Sequence, residues 1–132
     1  MGREWFFDNT TMVLYYKPNA TAAPGAASAG PPTGDFVAVV HEVLINVTGS
    51  QQEPAHHIAI SGITLRDTSY TYFAAHGLPS GGDWALQKTG AITLVGTEDV
   101  SISDCLLTRI DGNAIFIGGY NRGLTIAQNE FT

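Results

Sequence analysis

Two short phrases of sequence alternate from residue 45 onward, and they limit the fold more than any other feature of the chain. The first phrase has apolar residues at positions one and three and glycine at position five: INVTG from Ile45, ITLVG from Ile92 and IFIGG from Ile115. The second has apolar residues at positions one, three and eight: IAISGITL from Ile58, VSISDCLL from Val100 and LTIAQNEF from Leu124. Their fixed order predicts a repeat of about 23 residues with two short β-strands per unit.

A strand-built repeat of this length indicates a solenoid. Leucine-rich repeats have a similar period, but their L-x-x-L-x-L-x-x-N phrase and helical segment are absent from this sequence. The remaining choice is a parallel β-helix, whose coils stack at ~4.8 Å and align equivalent residues in ladders. We therefore expect an all-β fold with about two to three coils over residues 36–132.

The alignment of the repeats predicts which side chains stack inside the solenoid. Two buried ladders are expected, one of Ile60, Ile102 and Ile126 and the other of Ile45, Ile92 and Ile115. Cys105 and Asn129 align with Ile63 at an inward position, which predicts a buried thiol and an amide that hydrogen-bonds to neighbouring coils. The aligned glycines indicate a tight corner with positive φ in at least one coil: Gly49, Gly96 and Gly119.

The N-terminal part of the chain has a different composition. Residues 4–17, EWFFDNTTMVLYYK, predict a β-hairpin, because two aromatic and aliphatic runs flank the turn residues DNTT. Residues 18–34 are rich in proline, alanine and glycine and predict a flexible loop. Residues 36–49, FVAVVHEVLINVTG, are dense in β-branched residues and predict a strand. These features divide the chain into residues 1–35 and the coils of residues 36–132.

One repeat is interrupted by an insertion at about residues 66–88, between the second phrase and the next first phrase. It is rich in aromatic residues and too long for a coil, so it is expected to project and to carry a ligand site. Flat aromatic faces with polar tips suit a sugar, and they make four residues candidates for substrate binding: Trp84, His76, Tyr120 and Arg109. Tyr70, Tyr72 and Phe73 are equally consistent with packing of the insertion against the solenoid.

Candidate catalytic residues lie near the mouth of this insertion. His41, Lys88 and Asp111 occupy equivalent positions ahead of the first phrase, and such a column could perform acid–base chemistry on a sugar chain. Asp83 and Asp111 form the pair of carboxylates that glycoside hydrolysis would require. The alternative is an exposed Lys88–Asp111 ion pair that closes a turn, since Asp111 begins the turn sequence DGN.

Composition excludes several other classes of function. The net charge of −6, without a basic run, argues against nucleic acid as a partner, and no apolar stretch is long enough to span a membrane. The single cysteine, Cys105, excludes an internal disulfide, and neither a cofactor nor a metal is expected. His56 and His57 are adjacent on a strand and are expected to point in opposite directions, which disfavours a shared metal.

Three N-x-[ST] sequons predict glycosylation in a secreted or cell-surface protein: Asn9, Asn19 and Asn46. The opening MGREWFFDNTT does not read as a signal peptide, because no apolar segment of adequate length follows its arginine.

The coil phrase resembles the right-handed parallel β-helix repeats of pectate-lyase-like proteins, in which I-x-I-x-x-N-x-F recurs, and residues 124–131 fit it closely. The opening REWFFDNTTMVLYYKP also looks like the GEW-Y-D---G-LYY-P segment that precedes the coils of large β-helix proteins related to carbohydrate-active enzymes. Arg3 replaces the usual glycine, and the retained residues are Glu4, Trp5, Asp8, Leu14, Tyr15, Tyr16 and Pro18. The chain is thus similar to the N-terminal part of a larger member.

The resemblance implies a carbohydrate-active protein that binds a polysaccharide or glycan and, as an enzyme, cleaves it as a glycoside hydrolase or lyase. The alternative is a non-catalytic β-helix, either an adhesin-like surface protein or a subunit of an assembly. In both cases the C-terminal coil is expected to present an open sheet edge to further β-helix coils or to a protein partner.

Overall fold

A computed structural model describes residues 4–17, 36–72, 74 and 87–132. The described residues form ten strands: β1 (Glu4–Asp8), β2 (Val13–Lys17), β3 (Ile45–Thr48), β4 (Ala55–Ser61), β5 (Thr64–Arg66), β6 (Ile92–Ser103), β7 (Leu106–Thr108), β8 (Ile115–Arg122), β9 (Thr125–Ala127) and β10 (Glu130–Phe131). The chain divides into two compact units, Met1–Val37 and Ala38–Thr132. No helix among the described residues is long and apolar enough to cross a membrane.

The first unit contains the predicted hairpin. β1 and β2 pair in antiparallel register, with Phe6 opposite Tyr15 and their rings stacked at 6.3 Å. The turn is set by Asp8, whose carboxylate accepts hydrogen bonds from the Thr10 amide and the Thr11 hydroxyl, each at 2.8 Å. An aspartate that bonds to the backbone just beyond it stabilises a turn. The flexible loop predicted for residues 18–34 lies outside the described residues.

The second unit consists of three repeats: the first repeat (β3–β5), the second repeat (β6 and β7) and the third repeat (β8–β10). All of their strand pairs are parallel. The first half of β6 lies between β3 and β8, its second half lies between β4 and β9, and β7 lies between β5 and β10. The registers confirm the alignment of the phrases, pairing Ile45 with Ile92 and Ile115, and Ile60 with Ile102 and Ile126.

The second phrase bends sharply and is divided between two strands. The first and third repeats therefore contain three strands each, whereas the second contains the expected two because β6 is continuous from the first phrase into the second. The bend falls on one left-handed residue in each repeat: Gly62 (φ 66°), Asp104 (φ 54°) and Gln128 (φ 56°). A second column of left-handed residues turns the chain ahead of the second phrase: His57, Asp99 and Gly123. Because left-handed residues occur at equivalent positions of the paired repeats, the parallel register is kept on both sides of each bend.

The apolar core lies almost entirely in the second repeat. Ile92 and Ile102 are fully buried, as are the neighbouring apolar residues Leu94, Val100, Cys105 and Leu107. The two isoleucine ladders are aligned as expected, but only their middle members are fully buried, and Ile126 is 42% exposed. Burial therefore requires a repeat on each side, and the outer repeats have a described neighbour on one side only.

An inward asparagine supports the corner beside this core, as predicted. Asn129 accepts a hydrogen bond from the Cys105 amide and donates one to the carbonyl of Ile102, both at 2.9 Å. Cys105 itself is buried and 2% exposed, in agreement with the expected packing role. The amide thus pairs backbone groups of the second repeat where the strand bends.

The strand predicted for residues 36–49 begins only at Ile45. Residues 36–44 form no strand, and Val40 is 76% exposed. The parallel pairing with β6 starts at Ile45 opposite Ile92, so β-branched composition alone was not sufficient to form a strand upstream.

Candidate functional site

The insertion interrupts the chain between the first two repeats. We call the surface around its two ends the loop edge, which consists of residues 67–72, 87–89 and 109–113 and of His41. The Ser69 amide donates to the carbonyl of His41 at 2.8 Å, and the Asp111 amide donates to the hydroxyl of Thr68 at 2.9 Å. At the other end, Asn113 donates to the carbonyls of Gln87 (3.1 Å) and Thr89 (2.9 Å). These bonds tie both ends of the insertion to segments that precede or follow the repeats.

Three of the candidate catalytic residues lie on the loop edge. His41, Lys88 and Asp111 are all exposed, and the ion pairs among the described residues do not include a Lys88–Asp111 bridge. The proposed column of these three residues stays a prediction. Asp83, Trp84 and His76 lie outside the described residues, so the proposed Asp83–Asp111 pair stays a prediction.

Arg109 is held by an acidic partner at the same edge. Its Nε and Nη2 atoms lie 2.7 and 2.8 Å from the two carboxylate oxygens of Asp67, and the Nε of Arg66 approaches the same carboxylate at 3.1 Å. The Asp67 side chain is only 15% exposed. A bidentate pair of this kind fixes the orientation of the Arg109 guanidinium. The primary contact of Arg109 is therefore with Asp67, at the start of the insertion.

Tyr120 lies elsewhere, toward the opposite end of β8 from Asp111. It belongs to a second group of polar side chains, which we call the corner cluster: His56, His57, Glu98, Asp99, Tyr120 and Arg122. Register places His56 beside Glu98 and Glu98 beside Arg122 on three neighbouring strands. The column of left-handed residues adds His57 and Asp99, whose Nε2 and Oδ2 atoms are 3.8 Å apart.

Within the corner cluster, the β8 residues Tyr120 and Arg122 make short polar contacts. Tyr120 donates a hydrogen bond to the carboxylate of Glu98, and this bond is the main cause of the raised pKa of the tyrosine. The pKa of Arg122 is also raised, chiefly by its contact with the Tyr120 oxygen and then by the nearby negative charges. Tyr120 is therefore a protonated donor at neutral pH, bonded to its acidic neighbour.

The sequence interpretation did not identify this cluster and was wrong about the direction of the histidine rings. His57 has φ 58°, which breaks the alternation of side chains along β4. The rings of His56 and His57 consequently contact each other, with 2.6 Å between their Nδ1 atoms. The alignment of His57 with Gly123 in the repeat was the available signal, because glycine is common where φ is positive.

Neither surface contains a preformed set of metal ligands of the usual size. No group of three or more histidine, cysteine, aspartate or glutamate side chains in the described part of the chain is arranged to hold a metal ion. Comparison of the chain with family models, with curated proteins and with solved structures found no match.

Proposed function

We propose that the three repeats are coils of a right-handed parallel β-helix and that the loop edge binds a polysaccharide. The coil architecture is supported by the continuous parallel register from β3 through β6 to β8 and by the columns of left-handed corners. The right hand follows from the general preference of parallel crossovers. A rigid stack of this kind presents its insertions on a fixed scaffold, which suits recognition of a long chain.

The observation that carries the proposal is the coincidence of three features at the loop edge. The break in the repeat, exposed aromatic rings and exposed charged groups all occur there. Tyr70 and Tyr72 are 56% and 60% exposed, and the adjacent Thr68 binds the backbone of Asp111. Aromatic rings bordered by polar groups provide the stacking and hydrogen bonding that sugar rings use.

In the enzyme form of this proposal, the loop edge also cleaves the bound polysaccharide. Asp111 and Asp83 would serve as the acid and base of a glycoside hydrolase, whereas Lys88 or His41 would abstract a proton in a lyase. The exposure of His41, Lys88 and Asp111 supports access by a polymer. We place the protein outside the cell, with Asn9 and Asn46 exposed for glycosylation and Asn19 as a third acceptor.

The experiment compares two tryptophan variants of the full chain, Trp84→Ala and Trp5→Ala. Trp84 lies in the insertion, whereas Trp5 is a 71% exposed aromatic residue on the hairpin. Affinity electrophoresis against neutral and polyuronate polysaccharides should show weaker binding for Trp84→Ala and no change for Trp5→Ala. The unfolding midpoint of the Trp84 variant should match that of the unmodified chain. Equal loss of binding and stability in Trp84→Ala would instead assign this side chain to packing.

A second candidate is a non-catalytic β-helix that assembles with other coils or with a protein partner. It is favoured by the outer face of the third repeat, where Ile117, Ile126 and Phe131 are 44%, 42% and 53% exposed. The strands β8, β9 and β10 each pair with a described strand on one side only. An apolar face with a free strand edge is suited to receiving another coil. Concentration-dependent association without polysaccharide binding, observed on the same samples, would favour this candidate.

A further inference from the structure

The side chains of His56 and His57 are in direct contact in the corner cluster. Their rings contact edge to face with centroids 4.7 Å apart, and 2.6 Å separates the two Nδ1 atoms. A contact of this length requires one ring to donate a proton and the other to accept it. Both rings are exposed, so a solvated ion can reach them without opening the fold.

The backbone fixes this arrangement. His57 has φ 58° at the corner that leads into the second phrase, and the equivalent residues of the other repeats, Asp99 and Gly123, are also left-handed. Few non-glycine residues adopt this conformation. Histidine, asparagine and aspartate adopt it more often than the others. The corner thus places two adjacent imidazoles on the same side of the chain, which an extended strand would prevent.

Neighbouring carboxylates complete the surroundings of the pair. Asp99 lies 3.8 Å from the Nε2 atom of His57, on the side of the ring away from the contact with His56. Glu98 is in register with His56, and Arg122 follows beyond Glu98, where it contacts Tyr120. A metal-binding histidine usually directs its second ring nitrogen toward a carboxylate, and that is the position of Asp99.

We propose that His56 and His57 bind a divalent transition-metal ion of the copper–zinc class through their Nδ1 atoms. Imidazole nitrogen is a preferred ligand for these ions. Two nitrogens bound at about 2.0–2.1 Å on adjacent coordination positions lie about 3 Å apart, so the rings must separate slightly from the 2.6 Å contact. The ring that carries its proton on Nδ1 in the metal-free pair must carry it on Nε2 instead, which leaves the lone pairs of both Nδ1 atoms for the ion. Water supplies the remaining ligands, because both rings face solvent, and the two carboxylates offset the charge of the cation.

The test titrates the full chain with CuCl₂ and ZnCl₂ by calorimetry. The unmodified chain should bind the ion, and His57→Gly and His56→Gln should each weaken binding by at least about tenfold, the lower end of what loss of a supporting second-shell group costs. Glycine suits the left-handed backbone and already occupies this column as Gly123, so His57→Gly should retain the unfolding midpoint of the parent. His41→Ala removes an exposed histidine from the loop edge and is the control, with affinity unchanged.

Three outcomes would overturn the site: no binding by the unmodified chain, binding that survives both histidine variants, or equal binding of MgCl₂. Magnesium prefers oxygen ligands, so it distinguishes the histidine pair from the acidic groups nearby. Asp99→Asn tests the positioning role of Asp99, with an expected loss of about tenfold. In the His57→Gly background, Asp99→Asn should cause no further loss of affinity, because the carboxylate acts through the ring of His57.

Discussion

The second and third repeats have the same pattern of apolar residues but very different burial. Leu94, Ile102 and Leu107 of the second repeat are 1%, 0% and 1% exposed. Their register partners in the third repeat, Ile117, Ile126 and Phe131, are 44%, 42% and 53% exposed. The difference shows that the burial of a repeat depends on whether repeats pair with it on both sides, and not only on its own apolar pattern. Matched substitutions in the two repeats separate these contributions.

The largest difference is expected for the isoleucine ladder. Ile102→Ala should lower the free energy of unfolding by ~2–5 kcal/mol, because it opens a cavity between two rungs. Ile126→Ala removes the same atoms from a half-exposed position and should cost about 1 kcal/mol. Urea denaturation of both variants measures the difference directly. Equal losses would show that the third repeat is covered in solution, for example by another chain.

A smaller difference is expected at the glycine corner. Gly96 and Gly119 have nearly the same backbone, with φ 66° and 65°, but a methyl group would meet different surroundings. At Gly96 it would collide with the backbone of Gly49 and Ser50, whereas at Gly119 its nearest neighbour is Val95 at 3.5 Å. Gly119→Ala should therefore cost only the left-handed strain of ~1–2 kcal/mol.

Gly96→Ala should cost a further ~1–3 kcal/mol, because the crowded methyl group forces the neighbouring strand to move. Thermal unfolding of the two alanine variants, side by side, checks the expectation. If Gly119→Ala proved the more damaging of the two, the close approach of the first and second repeats at this corner would be refuted.

The smallest effect is expected for the hydrogen bond from Tyr120 to Glu98, which links the third repeat to the second. The pKa of Tyr120 is raised by this bond, so the folded state holds the phenolic proton more tightly than the unfolded chain. The stabilisation is present below pH ~10 and disappears as pH rises through the higher, folded value. Alkaline unfolding curves should show a steeper loss of stability for the unmodified chain than for Tyr120→Phe. Superimposable curves would mean that the bond does not distinguish the folded from the unfolded state.

Much of the second unit could be predicted from the sequence, because aligned apolar positions determine which residues pair between stacked strands. The Ile45–Ile92–Ile115 register and the inward amide of Asn129 both followed from the alignment. The split of the second phrase was not predicted, although Gly62 and Asp104 at the aligned position are residue types that favour the left-handed conformation, which Gln128 also adopts. Local composition also wrongly predicted a strand at residues 36–44. β-branched residues form a strand where a neighbouring strand pairs with them, and the pairing with β6 begins only at Ile45.

The sites were harder to predict than the register. The column of His41, Lys88 and Asp111 stays a prediction, and the repeat alignment could not anticipate that Arg109 is bound to Asp67. The histidine pair was missed because side-chain direction was inferred from an ideal strand, whereas one positive φ at His57 reverses it. Side-chain arrangements of this kind arise at departures from regular structure, which a periodic pattern does not describe.

Both ends of the insertion are bound by side chains from the segment between the second and third repeats. Arg109 holds Asp67 at its start, and Asn113 holds the carbonyls of Gln87 and Thr89 at its end. These bonds fix the two ends of the insertion relative to the repeats, and doubling the length of a flexible loop with fixed ends costs only about 0.6 kcal/mol. We therefore expect the segment between Ala74 and Gln87 to tolerate changes of length with little effect on the stability of the repeats.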